Sequence, residues 1–273
     1  MKKLEPILVH LALITATLFA LYPLFWVLST ALSPSGLSEA RALPIPRHPT
    51  LENFEAVVST GSFGLQIGNS LIAAGATAAV AIVLATPAAY ALARFPFVGK
   101  KSSMRVLLAT QMFPAVASAV PLYVVLDRLH LLDTRTGLVL VYASTAVPFA
   151  IFQLRGAFEA IPIELEEAAM VDGATRFQAF LKVVLPAARP AIAVTALFAF
   201  MSAWNEFILA ATLLSRESAF TLPVVLQRYV GEHDAAWGPF CAGSILVSIP
   251  VMAFFYLAQR QLVSGLTSGG VKG

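Results

Sequence analysis

Six long, nearly uncharged apolar runs constrain this chain more than any other feature. A helix rises about 1.5 Å per residue, so crossing a hydrocarbon core of roughly 30 Å takes about 20 mostly apolar residues. The runs extend from Ile7 to Leu32, Asn69 to Ala93, Val106 to Leu126, Gly137 to Leu154, Ala191 to Leu214 and Trp237 to Gln259. They are continuous rather than alternating in polarity, which favours helices over the strands of a barrel. Of the 273 residues, 58% are hydrophobic and 12% charged, too little polar surface to cover a globule in water. The expected fold is an all-α membrane protein with six transmembrane helices in one domain, residues 1–273. Lys2 and Lys3 precede the first run in the manner of a signal peptide, but the run far exceeds a typical h-region, so it reads as an uncleaved anchor.

Loop charges predict direction, because Lys and Arg are retained on the cytoplasmic side. Twelve basic residues (Lys2, Lys3, Arg94, Lys100, Lys101, Arg105, Arg155, Arg176, Lys182, Arg189, Arg260, Lys272) fall on one side and six (Arg41, Arg47, Arg128, Arg135, Arg216, Arg228) on the other. Both termini are therefore expected in the cytoplasm. The net charge of +3 is dispersed in short clusters, which argues against nucleic-acid binding. Cys241 is the single cysteine, so the chain alone forms neither a disulfide framework nor a cysteine metal site.

Pro23, Pro87, Pro114, Pro121, Pro148 and Pro250 lie in or at the edges of the runs, where each removes a backbone hydrogen bond and bends or interrupts its helix. In the second run, Ala73, Ala74, Gly75, Ala76, Ala78, Ala79, Ala81 and Ala85 place small residues on every face, which allows close helix packing. The longest outer loop, Ser33 to Gly68, is punctuated by Pro34, Pro44, Pro46 and Pro49 and contains a short amphipathic segment from Leu51 to Val58. It suits either a rim that shields the bundle or a docking place for a partner outside the membrane.

The only sizeable cytoplasmic segment is residues 155–189, which reads as two short helices. Pro162 pre-sets a first turn, Glu164, Glu166 and Glu167 sit at its positive dipole end, and Asp172-Gly173 offers a stop. Thr175 and Gln178 form the S/T-x-x-E/Q capping box of a second helix, expected to end before Pro186. The small residues Ala168, Ala169, Gly173 and Ala174 would let another protein approach the backbone closely.

The string Glu167-Ala168-Ala169-Met170-Val171-Asp172-Gly173-Ala174, followed by Leu185-Pro186 and Pro190, resembles the EAA loop of permease subunits of binding-protein-dependent ABC importers. Trp204-Asn205-Glu206-Phe207 and the tail Gly265 to Gly273 are similar to the carbohydrate branch, in particular its maltose- and trehalose-type permeases. The resemblance implies the type I importer permease fold in a bacterial or archaeal inner membrane. It implies four kinds of partner: a homologous second permease, two ATP-binding subunits, an extracytoplasmic solute-binding protein and a sugar, with trehalose or maltose as plausible disaccharides. It further implies that Glu166, Glu167, Ala168, Ala169, Asp172, Gly173, Ala174 and Pro186 couple to the ATPase. Gly269, Gly270 and Lys272, in the tail 260–273, would reach the same subunit.

No cofactor is expected on this chain; ATP and Mg belong to the partner ATPase. Gly265 and Gly270 have the separation of a phosphate loop, but Val271 stands where its lysine must be. His10, His48, His130 and His233 are scattered, and no HExxH or GxSxG occurs, so a catalytic or metal centre is not expected. Glu206 is the only acid within a run, and an ionisable group at membrane depth is a functional candidate by default. With Trp204 and Asn205 it offers an aromatic face and hydrogen-bonding groups for a neutral sugar; Asn69 and Gln111 are further candidates for the path. Alternatively, Glu206 and Asn205 bond between helices or hold a gate. The rival reading of the whole chain, an ion-driven secondary transporter, would need coupling carboxylates or inverted repeats that are not evident.

Overall fold

The computed structural model describes residues 4–34, 44–231 and 235–269, all helices, turns and connecting loops apart from an isolated bridge between Val230 and Ala235. The helices are α1 (Leu4–Ala31), α2 (Glu52–Val58), α3 (Phe63–Arg94), α4 (Lys100–Gln111), α5 (Ala115–Arg128), α6 (Arg135–Ala160), α7 (Glu164–Val171), α8 (Arg176–Ala179), α9 (Leu185–Ala187), α10 (Arg189–Trp204), α11 (Ile208–Leu213), α12 (Leu222–Gln227) and α13 (Trp237–Gly269). Four segments are individually long and apolar enough to cross a membrane: Pro6–Ala31, Phe63–Arg94, Arg135–Ala160 and Trp237–Tyr256. Two bent pairs raise this to six if each counts as one span.

One of these bends and a separate break correct the sequence reading. The third run is not one helix, because α4 and α5 meet at 100°. Pro114 sits at the joint with ψ of 129°, where it caps α5; it has no N–H for the ladder and disfavours helical backbone in the residue before it. The fifth run, 191–214, breaks at Asn205–Phe207 between α10 and α11. The 16 residues of α10 reach only about 24 Å, and its bend of 71° is with the helical turns of 176–187. The last helix also continues past the expected end at Gln259 to Gly269.

The chain divides into two compact units. In the first, residues 1–65 with 224–249, α1 has no buried residue over 6–28, and burial begins only at Ser29 and Ala31. A helix apolar all round and unburied by its own chain needs lipid or another protein as its solvent. Asn53, fully buried on α2, donates through Nδ2 to the Ala31 and Ser33 carbonyls at 2.9 and 2.7 Å. A Cβ at Gly238 would stand 2.5 Å from Asn53 Oδ1, so glycine there lets the start of α13 close over this joint.

In the second unit, residues 66–223 with 250–273, α4 and α10 pack on α6. Buried alanines 74, 78, 81, 85 and 89 recur at intervals of three or four residues along α3, which makes one stripe of close approach rather than small residues on every face. Across the α5–α6 turn, a Cβ on Gly137 would collide with the Leu131 carbonyl oxygen. Gly137→Ala must move backbone, at about 1–3 kcal/mol for an overpacked site. A lowered melting temperature of the solubilised protein is the expected result; unchanged melting would show that the turn adapts freely.

Candidate functional site

The segment from Ile161 to Ala188 is built by local signals. Helix α7 ends in a Schellman arrangement: the Gly173 N–H donates to Met170 O at 3.1 Å and the Ala174 N–H to Ala169 O at 3.0 Å. Gly173 carries φ of +92°, the left-handed conformation that glycine adopts without steric cost. The capping box opens α8 as expected, with the Gln178 N–H donating to Thr175 Oγ1 at 3.3 Å and the Thr175 N–H to Gln178 Oε1 at 2.8 Å. The helical path does not stop before Pro186. A π turn, Phe180–Val184, intervenes, and Pro186 then falls in the first turn of α9, where its missing N–H is not required.

Glu166 is the main correction. Expected on the partner-facing surface, it is 4% exposed and turned toward α3. One carboxylate oxygen accepts from the Tyr90 hydroxyl at 2.7 Å and the other from Arg94 Nε at 2.5 Å. Arg94 Nη2 donates in addition to the Ile161 carbonyl at 2.8 Å. Beneath this pair the Tyr90 ring meets Phe180 at 4.4 Å, Phe95 at 5.8 Å and Phe158 at 6.0 Å, and the Arg176 guanidinium stands 5.3 Å over Phe95. Removing one partner alone would strand a buried charge at a cost of about 3–5 kcal/mol, so neither side of this joint between the loop and α3 can be changed by itself without loss. Tyr90 and Arg94 were missed as site residues because Arg94 reads only as a flanking charge until the fold brings it to Glu166.

The neighbouring groups point outward. Glu167, Ala168, Asp172 and Gly173 are exposed, while Ala169, Ala174 and Pro186 are half-buried. Ile163, Leu165, Val171 and Phe177 are 46–87% exposed, interspersed with the exposed acids Glu164, Glu167 and Asp172. Of the expected tail residues, Gly269 closes the last helix, whereas Gly270 and Lys272, like His233, lie outside the described residues.

The expected substrate-path residues do not converge. Asn69 is 1% exposed and acts as a joint: Nδ2 donates to the Ser218 and Phe220 carbonyls at 2.9 and 3.0 Å, and Oδ1 accepts from Arg135 Nε at 2.8 Å. Trp204 is 2% exposed and stacks on Phe200 at 5.6 Å, so its face is spent on packing. Gln111 is exposed and its amide donates to the Thr145 carbonyl at 3.1 Å. Glu206, half-buried, caps α11 by accepting from the Leu209 and Ala210 N–H groups at 2.9 and 3.0 Å. The buried Tyr142 hydroxyl lies beside that carboxylate but outside direct hydrogen-bonding geometry. Asn205, like Gln111, is exposed. Among the described residues, no three His, Cys, Asp or Glu side chains cluster as a metal site.

Known proteins match this arrangement along most of its length. The family model described as binding-protein-dependent transport system inner membrane component matches residues 81–268. A putative ABC transporter permease protein, ORF1, of Streptomyces antibioticus is 45% identical over 228 residues, covering 84% of this chain and 100% of the relative. The trehalose transport system permease protein SugB of Mycobacterium tuberculosis is 37% identical over 257 residues, 93% of each chain. Among solved structures, a chain of a bacterial ABC transporter involved in import of the acidic polysaccharide alginate superposes with a TM-score of 0.78 at 26% identity, covering 94% of this chain and 96% of that one.

Proposed function

Because this chain belongs to the family of binding-protein-dependent transport system inner membrane components, we propose that it is the permease subunit of an ATP-driven carbohydrate importer that couples to a separate ATPase through the 155–189 loop. The observation that carries the coupling is the split between adjacent glutamates: Glu166 anchors the loop to α3 while Glu167 and the apolar surface around it stay open. The charge tally supports a cytoplasmic loop and cytoplasmic termini in an inner membrane. The partners are a homologous permease completing the pathway, two ATP-binding subunits holding ATP and Mg, and an extracytoplasmic solute-binding protein that delivers the sugar. Gly269, Gly270 and Lys272 belong to the tail that reaches the ATPase.

The mechanism is mechanical. Nucleotide binding closes the ATPase pair, the docked loop moves with it, and the bent spans exchange access from one side to the other. This chain carries out no bond-breaking step. The substrate is a disaccharide such as trehalose or maltose, a reading supported by the likeness to SugB. Deleting the chain and following uptake of labelled trehalose and maltose tests this directly. Loss of one or both uptakes is expected, and undiminished entry of both would refute the disaccharide assignment.

Glu206 works as a positioning group at the α10–α11 break rather than as a sugar ligand. In Glu206→Gln the side chain offers one carbonyl in place of two acceptor oxygens, so one of the two N–H bonds is weakened. Substrate-stimulated ATP hydrolysis is expected to change while substrate affinity stays constant; a shifted affinity would put Glu206 against the sugar.

A further inference from the structure

We propose that α3 is a connecting rod that carries the motion of the 155–189 loop to the segment 218–222 at the opposite end of the second unit; the proposal rests on the coupling role assigned to that loop. The rod is pinned at both ends by buried polar contacts between residues far apart in sequence. At one end, Tyr90 and Arg94, one helical turn apart on α3, take the two oxygens of Glu166. The Arg94 and Glu166 side chains are 9% and 6% exposed, so the pair is shielded from the salt that weakens surface ion pairs. Arg94 also holds the Ile161 carbonyl, so α3 grips the loop on both sides of Pro162.

At the other end, Asn69 takes the Ser218 and Phe220 carbonyls, and Ser70 Oγ accepts from the Leu222 N–H at 2.8 Å. Asn69 and Ser70 are 1% and 3% exposed. Between the pins α3 is one continuous helix of 25 residue steps that runs through Pro87 without the interruption the sequence suggests, about 38 Å long. The covalent route from the loop to the same segment is compliant by comparison, since it bends by 71° where α10 begins and is interrupted at Asn205–Phe207. Displacement therefore passes through α3, with Glu166, Arg94 and Asn69 as positioning residues.

The test is an end-to-end distance. Spin labels on Lys182→Cys, exposed on the same loop and outside the apolar patch around Glu167, and on Ser218→Cys, with Cys241→Ala removing the native thiol, are placed in the assembly purified from its native membrane. The distance is measured without nucleotide and with a non-hydrolysable ATP analogue. A rigid rod keeps one narrow distance in both states. Glu166→Gln and Asn69→Ala each release one pin, so the distance broadens and shifts with nucleotide, while the ATPase still co-elutes because Glu167 and its surroundings are untouched. Unchanged distances in both variants, or a nucleotide-dependent shift in the parent protein, overturn the proposal. If Glu166→Gln does not accumulate, Tyr90→Phe removes one hydroxyl from the same pin and must show a smaller broadening; none refutes the rod. Should no ATPase co-elute with the parent, the coupling reading falls, and the nucleotide-free distances alone decide whether the pins hold.

Discussion

Gly173→Asp is expected to leave the chain at its normal level in the membrane while abolishing substrate uptake. At φ of +92°, a residue with a Cβ pays about 1–2 kcal/mol, with aspartate among the side chains that tolerate this region best. A Cβ at Gly173 would meet no atom within 4 Å, so the change neither clashes nor disturbs packing, and the helices of the membrane are far from it in sequence. Its consequence falls on the exposed surface. A carboxylate appears beside Asp172 on the turn where a partner must approach the backbone, and its desolvation without a partner charge is costly. Uptake assays alongside immunoblots of membranes measure the two quantities separately. Normal uptake by the variant would remove the turn from the docking surface.

Glu167→Lys is expected to release the ATPase during mild solubilisation, lowering its recovery by more than about tenfold, since losing a buried interfacial charge pair costs about 2–5 kcal/mol. The prediction depends on the direction in which one side chain points. Glu166, one residue earlier, is spent on Tyr90 and Arg94, whereas Glu167 is exposed. Reversing Glu167 should therefore leave the loop folded and change what it binds. Comparing ATPase recovered per permease in the two proteins measures it, and equal recovery would mean that Glu167 faces no basic group on that subunit.

These two residues also mark how far the sequence could be read. The Schellman turn at Gly173 and the capping box at Thr175 and Gln178 were legible because each is closed by hydrogen bonds within a few residues. Which of two adjacent glutamates faces inward was not, because the answer lies 72 residues away on α3. Asn69 illustrates the same limit: a polar side chain in an apolar run suggests a ligand path, and only the fold reveals Ser218, Phe220 and Arg135 around it. The spans were legible from hydropathy, yet their breaks were only half so. Pro114 announces one, while the break at Asn205–Phe207 has no proline and is held by a Glu206 side chain that caps the next helix.

The central claim is that this chain moves substrate by borrowing a motor. Affinity purification of the chain from its native membrane in mild detergent, followed by assay of ATP hydrolysis in the eluate, tests it most directly. A co-eluting ATP-binding subunit whose hydrolysis is vanadate-sensitive is the expected result. Elution without any ATPase, from cells whose uptake survives ATP depletion but collapses with a proton ionophore, would contradict it.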